Sequence, residues 1–344
     1  MKTARAHDGL RRSGVVTRVA MLLAACCTSM CLAEPISVKQ FTRQLEAGPI
    51  QVFVATIDLK DPALKVISDE PLNAAAKKNA KADAKLARTD DWAEAHHATL
   101  AINANYFGLL EKAPKPATPN EDNHGYGSNL EADVIGVWVS NGVVISKPRV
   151  VKGEADPAVL IRADGTAAAK RVTDADLTSV AFAVAGVGAS DTGKDTSPGS
   201  LLVQAGKNLG STARVDADKR HPRTALGVTA DGTKLVAMVV DGRAPGYSVG
   251  VTLPELADLM IENGAVDAVN LDGGGSSAFV YRPSTSSAQA GAAKVVSNRP
   301  SDGSFRPVAN HLGFVVAGSQ DPSVELQTTG ASPAAQDPKP TDAK

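Results

Sequence analysis

The stretch from Thr252 to Ser277, TLPELADLMIENGAVDAVNLDGGGSS, decides the fold. Thr252, with Glu255 three residues on, makes a capping box. Leu253, Leu256, Ala257, Met260 and Ile261 fall on one helical face, and Gly264 stands where a C′ glycine ends a helix. Ala265 to Leu271 returns as a buried strand. Recurrence of that helix-to-strand unit would signal a doubly wound sheet, but the rest of the chain shows hairpins instead. Val137 to Ser140 and Val143 to Ser146 flank Asn141-Gly142, a pair suited to φ > 0 at both centres of a type I′ turn. Thr224 to Thr229 and Lys234 to Val240 flank Ala230-Asp231-Gly232 in the same manner, and Gln51 to Ile57 and Leu64 to Ile67 flank Asp61-Pro62. Thr99 to Ile102 adds a short buried strand. Many hairpin-joined strands with few helices predict an α+β domain: a mixed, mostly antiparallel sheet with hairpins and a few packed helices.

The ends of the chain read differently. Arg11, Arg12 and Arg18 precede an apolar run from Val19, and Cys31-Leu32-Ala33 offers a small-residue cleavage site, so residues 1–33 read as a signal peptide. Leu23-Ala24-Ala25-Cys26 is the competing lipoprotein signal, which would end before Cys26 and leave a lipid anchor there. Either reading places the protein outside the cytoplasm: periplasmic, secreted, or tethered as a lipoprotein. Residues 34–318 form the expected domain, and residues 319–344, poor in large apolar side chains, read as a disordered tail. Within the domain, the Lys- and Ala-rich residues 72–89 read as an exposed helical insert or mobile loop, and residues 111–130 as a long loop of the kind that forms lids.

Composition narrows the chemistry. The 344 residues carry 36 basic and 37 acidic side chains, which leaves no excess of positive charge for gripping nucleic acid. Aromatic residues number 13, too few for broad stacking platforms, so a ligand is held mainly by polar groups. All three cysteines, Cys26, Cys27 and Cys31, precede the domain, which therefore has no disulfide or thiolate chemistry. No later segment is long and apolar enough for a membrane span. His96, His97, His124, His221 and His311 show no metal-ligand spacing. The residues imply neither a metal nor a cofactor.

Chemistry concentrates where strands end. Asn270 and Asp272 close a strand and run into Gly273, Gly274, Gly275, Ser276 and Ser277. Three glycines admit a ligand to the backbone, and their N–H groups can form an anion nest. The alternative is a flexible turn. No lysine follows, as a P-loop requires, and Ser276 lacks the frame of a nucleophile elbow. Arg223 in Arg220-His221-Pro222-Arg223 suits phosphate, yet taken alone it also fits a surface loop. Asp241 in Val239-Val240-Asp241-Gly242-Arg243 repeats the acid-then-glycine logic and equally fits a self-bonded turn. Arg306, Asn310 and His311 precede a last core strand and also fit an ordinary loop leading into it.

Read in order, these segments resemble the phosphodiester glycosidase family over roughly Thr99 to Val316. The marks are Ile102-Asn103-Ala104-Asn105-Tyr106-Phe107, Pro222 to Gly227, Val240-Asp241-Gly242-Arg243, Gly250 to Ala257, Asn270 to Ser277, and Arg306 to Asn310. Ala104-Asn105 departs from two glycines in many members and would narrow the pocket; the 72–89 insert is a second departure. The resemblance implies an exported hydrolase that cleaves between a sugar's anomeric carbon and phosphate, on a glycan or a cell-envelope exopolysaccharide. It implies Asp272 as nucleophile or base and Asp241 as orienting water or acting as its partner. Arg223, Arg306 and the Gly273–Ser276 backbone would hold phosphate, with Asn103, Tyr106, Asn270 and Asn310 on the sugar or phosphate. A non-catalytic module binding a phosphorylated glycan, or serving exopolysaccharide assembly, would want the same residues.

Overall fold

The computed structural model describes residues 34–111, 126–151, 153–187, 199–283 and 295–317. The signal-like segment, most of the 111–130 loop and the tail beyond 318 lie outside the described residues. Every strand pairing among the described residues is antiparallel. A seven-stranded sheet runs in the order Ile36–Leu45, Gly48–Asp58, Lys234–Val240, Arg223–Val228, Asp267–Asn270, Leu201–Gln204, Lys207–Asn208. Two five-stranded sheets accompany it. One contains Leu100–Asn103 between Phe279–Tyr281 and His311–Val316; the other contains Pro157–Arg162 between Ala167–Arg171 and Val180–Ala185.

The large sheet is buried on both faces. In Lys234–Val240 the side chains of Val236, Met238 and Val240 pack with α2 (Leu253–Glu262), while Leu235, Ala237 and Val239 pack toward the five-stranded sheets. Gly48–Asp58 alternates in the same way, with Val52 and Val54 on one side and Phe53, Ala55 and Ile57 on the other. Period-two geometry sends neighbours to opposite faces, so double burial turns an antiparallel strand into a continuous apolar run. Phe53 meets Phe279 of a five-stranded sheet with ring centroids 5.9 Å apart. α1 (Thr89–Ala95) covers that sheet's outer face through Trp92 and Ala93.

The hairpin at Asn141-Gly142 forms with φ of 49° and 79°, and α2 carries the capping box at Thr252 with Gly264 at φ 95° beyond its end. The fold is β-rich, with α1 and α2 the only α-helices among the described residues, and is not a balanced α+β structure. Residues 72–89 do not form an exposed helix. They contain a three-residue 3-10 turn and two short strands, and Ala82, Ala84 and Leu86 are buried, the last two packing with Ala132, Val134, Trp138 and Ala309. Gln51 to Ile57 and Leu64 to Ile67 are strands, but they join different sheets rather than each other.

Register gathers the quoted motifs along one rim. Arg223 pairs with Val240, Ala225 with Asn270, and His311 with Asn103. Within their sheets, the beginnings of two strands are thus set beside the ends of three others, and Asp241, Asp272 and Ala104 follow those ends within two residues.

Candidate functional site

Asp272 sits where two of these segments cross. Its backbone N–H donates to Ala104 O at 3.1 Å, and its carbonyl accepts from Asn103 Nδ2 at 2.6 Å. The carboxyl accepts from Gly273 N at 2.9 Å and from the Ser276 hydroxyl. It is closely surrounded by protein yet only half-buried, as expected of a group that protein encloses while solvent still reaches it. Burial pushes its pKa up to about 6, against the opposing pull of the Ser276 and Gly273 hydrogen bonds and the Arg306 charge.

Tyr106 stands nearby, half-buried, with its hydroxyl accepting from Asn270 Nδ2 at 2.8 Å. Burial raises its pKa, and the Asp272 charge adds to the effect. The phenol therefore keeps its proton and can donate it. Asn270 itself is fully buried, and its Oδ1 has no hydrogen-bond partner.

Cations surround this pair. Arg306 acts on the Asp272 carboxyl, and Arg223 and Arg214 act on Tyr106. The glycines after Asp272 are shaped around two guanidinium groups. A Cβ on Gly274, whose φ is 61°, would lie 3.0 Å from Arg243 Nη2, and one on Gly275 would lie 2.1 Å from Arg306 Nη2 and 2.2 Å from Asp302 Oδ2. Any side chain there would displace the arginines. Arg306 is held by Asp302, with Nε and Nη2 donating to Oδ2 at 2.9 and 2.6 Å, and lies 4.5 Å over the Tyr126 ring.

Several expected ligand contacts are instead internal fastenings. Arg223 is 2% exposed, and its guanidinium donates to the carbonyls of Val215, Asp216, Lys219 and Val251. It closes the 215–219 loop under the rim, with Nε, Nη1 and Nη2 all donating to backbone carbonyls. Asp241 is 1% exposed and accepts from Asn298 Nδ2, Tyr247 Oη and Arg299 N at 2.9 to 3.0 Å, so its carboxylate has no open face. Asn103 is fully buried, and its Oδ1 accepts from Thr224 and Ala278. Asn310 is fully buried and exchanges hydrogen bonds with Asn105. The expected nest is largely closed: Gly273 N–H serves Asp272, Gly274 N–H serves Pro222 O, and Ser276 N–H serves Gly273 O.

Arg243 has no role assigned from sequence, although the quoted Asp241-Gly242-Arg243 at a strand end is a usable signal. Nor has Asn298, which bridges Asp241 to Ser277 O and accepts from Phe279 N. Asn298 carries no local motif and could not have been found from spacing. Among the described residues, no group of three or more His, Cys, Asp and Glu could hold a metal ion.

The family described as phosphodiester glycosidase matches residues 96–315, which span the rim from Asn103 to Asn310. The chain belongs to the phosphodiester glycosidase family. Among solved structures it is similar to the pro-peptide-inhibited catalytic domain of zebrafish N-acetylglucosamine-1-phosphodiester alpha-N-acetylglucosaminidase. The TM-score is 0.54 at 17% identity, over 83% of this chain and 85% of that one, a likeness of fold. A hypothetical protein from Synechocystis matches with TM-score 0.46 at 15% identity, over 82% of this chain and 62% of that one. A 66-residue stretch is 44% identical to the SPbeta prophage-derived uncharacterized protein YomE of Bacillus subtilis, covering 19% of this chain and 10% of that protein.

Proposed function

We propose that the protein is an exported hydrolase that cleaves the bond between a sugar's anomeric carbon and phosphate in a sugar-1-phosphodiester of a glycan or envelope polysaccharide, with Asp272 as the reacting carboxylate. One observation carries the reading: of the two strand-end aspartates, Asp272 alone is open to solvent, with its pKa raised to about 6 by burial, and the Arg306 charge acts on it. Export rests on the signal-like residues 1–33. Among the described residues, no helix is long and apolar enough to cross a membrane.

The C1–O bond breaks with its electron pair leaving on a phosphate monoester, whose second pKa near 6 makes it a good leaving group. A protonated acid is therefore less needed than when an alkoxide leaves. Positive charge at C1 is met by Asp272, which either bonds to that carbon before water displaces it or takes a proton from the attacking water. Both routes need the ionised carboxylate. Tyr106, protonated and oriented by Asn270, donates to a substrate oxygen.

The direct test is release of reducing sugar from a panel of sugar-1-phosphodiesters. The reaction should lose about 100- to 10,000-fold in turnover with Asp272→Ala in folded protein. Its kcat/KM should rise with pH and level off above about 6, as Asp272 ionises. Near-normal turnover by Asp272→Ala overturns the residue's role. Binding without turnover across the panel overturns hydrolysis in favour of a glycan-binding module.

A further inference from the structure

With Arg223 closed into the protein, the rim needs another cation to meet a phosphate, and Arg243 has the required geometry. It is exposed and lies against Gly274, with Nη2, Nη1 and Cζ at 3.0, 3.4 and 3.5 Å from the place a Cβ would take. Among the described residues no carboxylate pairs with it, whereas Arg220 is tied to Glu255 and Arg306 to Asp302. Its Nη2 donates to His221 Nδ1 at 3.4 Å. A guanidinium has no acceptor, so Nδ1 must present its lone pair and the imidazole proton sits on Nε2. Asp216 Oδ2 lies 3.5 Å from Nε2, an ion-pair distance without a hydrogen bond.

The charged groups facing His221 are Asp216, Arg223 and Arg243. Burial, then the two arginines, pull its pKa down, while Asp216 opposes them, so the ring is neutral near pH 7. A neutral histidine directs the guanidinium without cancelling its charge. A carboxylate in the same place would direct it and cancel the charge. The backbone bears a cost as well: Arg243 has φ 57°, a left-handed conformation that glycine would adopt without penalty.

We propose that Arg243 binds the phosphate of the substrate and that His221 is its positioning residue. This rests on the reading that an anionic ester reacts beside Asp272, and it makes Arg243 the residue that selects a phosphodiester over a neutral glycoside of the same sugar. The planar fork of arginine matches two phosphate oxygens.

The test measures inorganic phosphate binding to the full chain by calorimetry, alongside hydrolysis of a sugar-1-phosphodiester. Wild type should bind phosphate, R243Q should bind it at least tenfold more weakly, and R243K should fall between them. R243G, which relieves the backbone, should lose phosphate without losing thermal stability, which separates lost charge from lost fold. H221A should weaken phosphate binding severalfold, and H221N, whose side-chain oxygen can stand in for Nδ1, should restore it. Phosphate bound equally by wild type and R243Q, or not bound by wild type at tens of millimolar, overturns the proposal. If affinity depends on Arg243 but no phosphodiester is hydrolysed, the reaction reading fails and the anion site stands. If hydrolysis proceeds with an unchanged KM in R243Q, the anion site fails and the reaction reading stands.

Discussion

Two corners of the rim have the same local sequence logic and opposite fates. At Val240-Asp241-Gly242-Arg243 and at Leu271-Asp272-Gly273-Gly274, an acid ends a strand and glycine follows. Asp241 is enclosed and accepts from an amide, a phenol and a backbone N–H, which fasten the 247 and 298–299 segments to the sheet. Asp272 accepts from its own glycine and a serine, remains open, and is held near pKa 6 by burial with few compensating donors. Burial pushes both carboxyls up, but Asp241 is closed off by its donors whereas Asp272 stays open to solvent. The arginines divide in the same way, Arg223 on backbone carbonyls and Arg243 toward solvent.

The largest stability effect should come from the satisfied corner. Asp241→Ala strands three donors where a buried, hydrogen-bonded carboxylate stood, and should lower unfolding free energy by about 3–5 kcal/mol, measured by urea denaturation. Loss of activity should follow loss of fold. A variant that folds as tightly as wild type but fails to turn over would put Asp241 in the chemistry and break the comparison.

That contrast also marks where the sequence stops being informative. The hairpin at Asn141-Gly142, the capping box at Thr252 and the buried strand before Asp272 were legible because each is set by residues within a few positions. Burial of Asp241 was not legible, because its donors come from Tyr247, Asn298 and Arg299, up to 58 residues away. Arg223 looked like a phosphate ligand for the same reason: the carbonyls that hold it become acceptors only once the 215–219 loop has folded back. Residue types at the rim could be read from the chain, whereas the accounting of which groups remain unsatisfied needed the tertiary structure. The Ala-Lys run at 72–89 differs again, since its first ten residues stay exposed or half-buried while Ala82, Ala84 and Leu86, at alternate positions, are buried.

The open corner should show a smaller effect of opposite sign. Asp272 has a folded pKa of about 6 against an ordinary 3.8, so the native state holds its proton more firmly than the unfolded chain. Stability contributed by this group is therefore full below about pH 4, falls as pH rises toward 6, and is constant above. Asp272→Asn removes the ionised form and should be more stable than wild type at pH 7 to 8 by about 1–3 kcal/mol. The upper figure is the full shift at 1.36 kcal/mol per unit, and the lower one allows for solvent reaching the carboxyl. The gain should vanish near pH 4. Equal midpoints at pH 8, or a gain that persists at pH 4, would mean that burial does not hold the Asp272 pKa up.

The smallest effect lies in the backbone of Arg243. A non-glycine residue in the left-handed region costs about 1–2 kcal/mol, and replacing it with glycine returns about 0.4–1 kcal/mol of that through greater freedom of the unfolded chain. Arg243→Gly should therefore raise stability by roughly 0.5–1 kcal/mol, while the same change removes the cation from the rim. Asn141, with φ 49°, is the control: asparagine tolerates this region, so Asn141→Gly should gain less. A rise in thermal midpoint for Arg243→Gly together with weaker phosphate binding would show that the corner gives up stability to hold an unpaired charge in place. A fall in midpoint would mean that the arginine stabilises the loop by contacts of its own, and the second corner would then resemble the first.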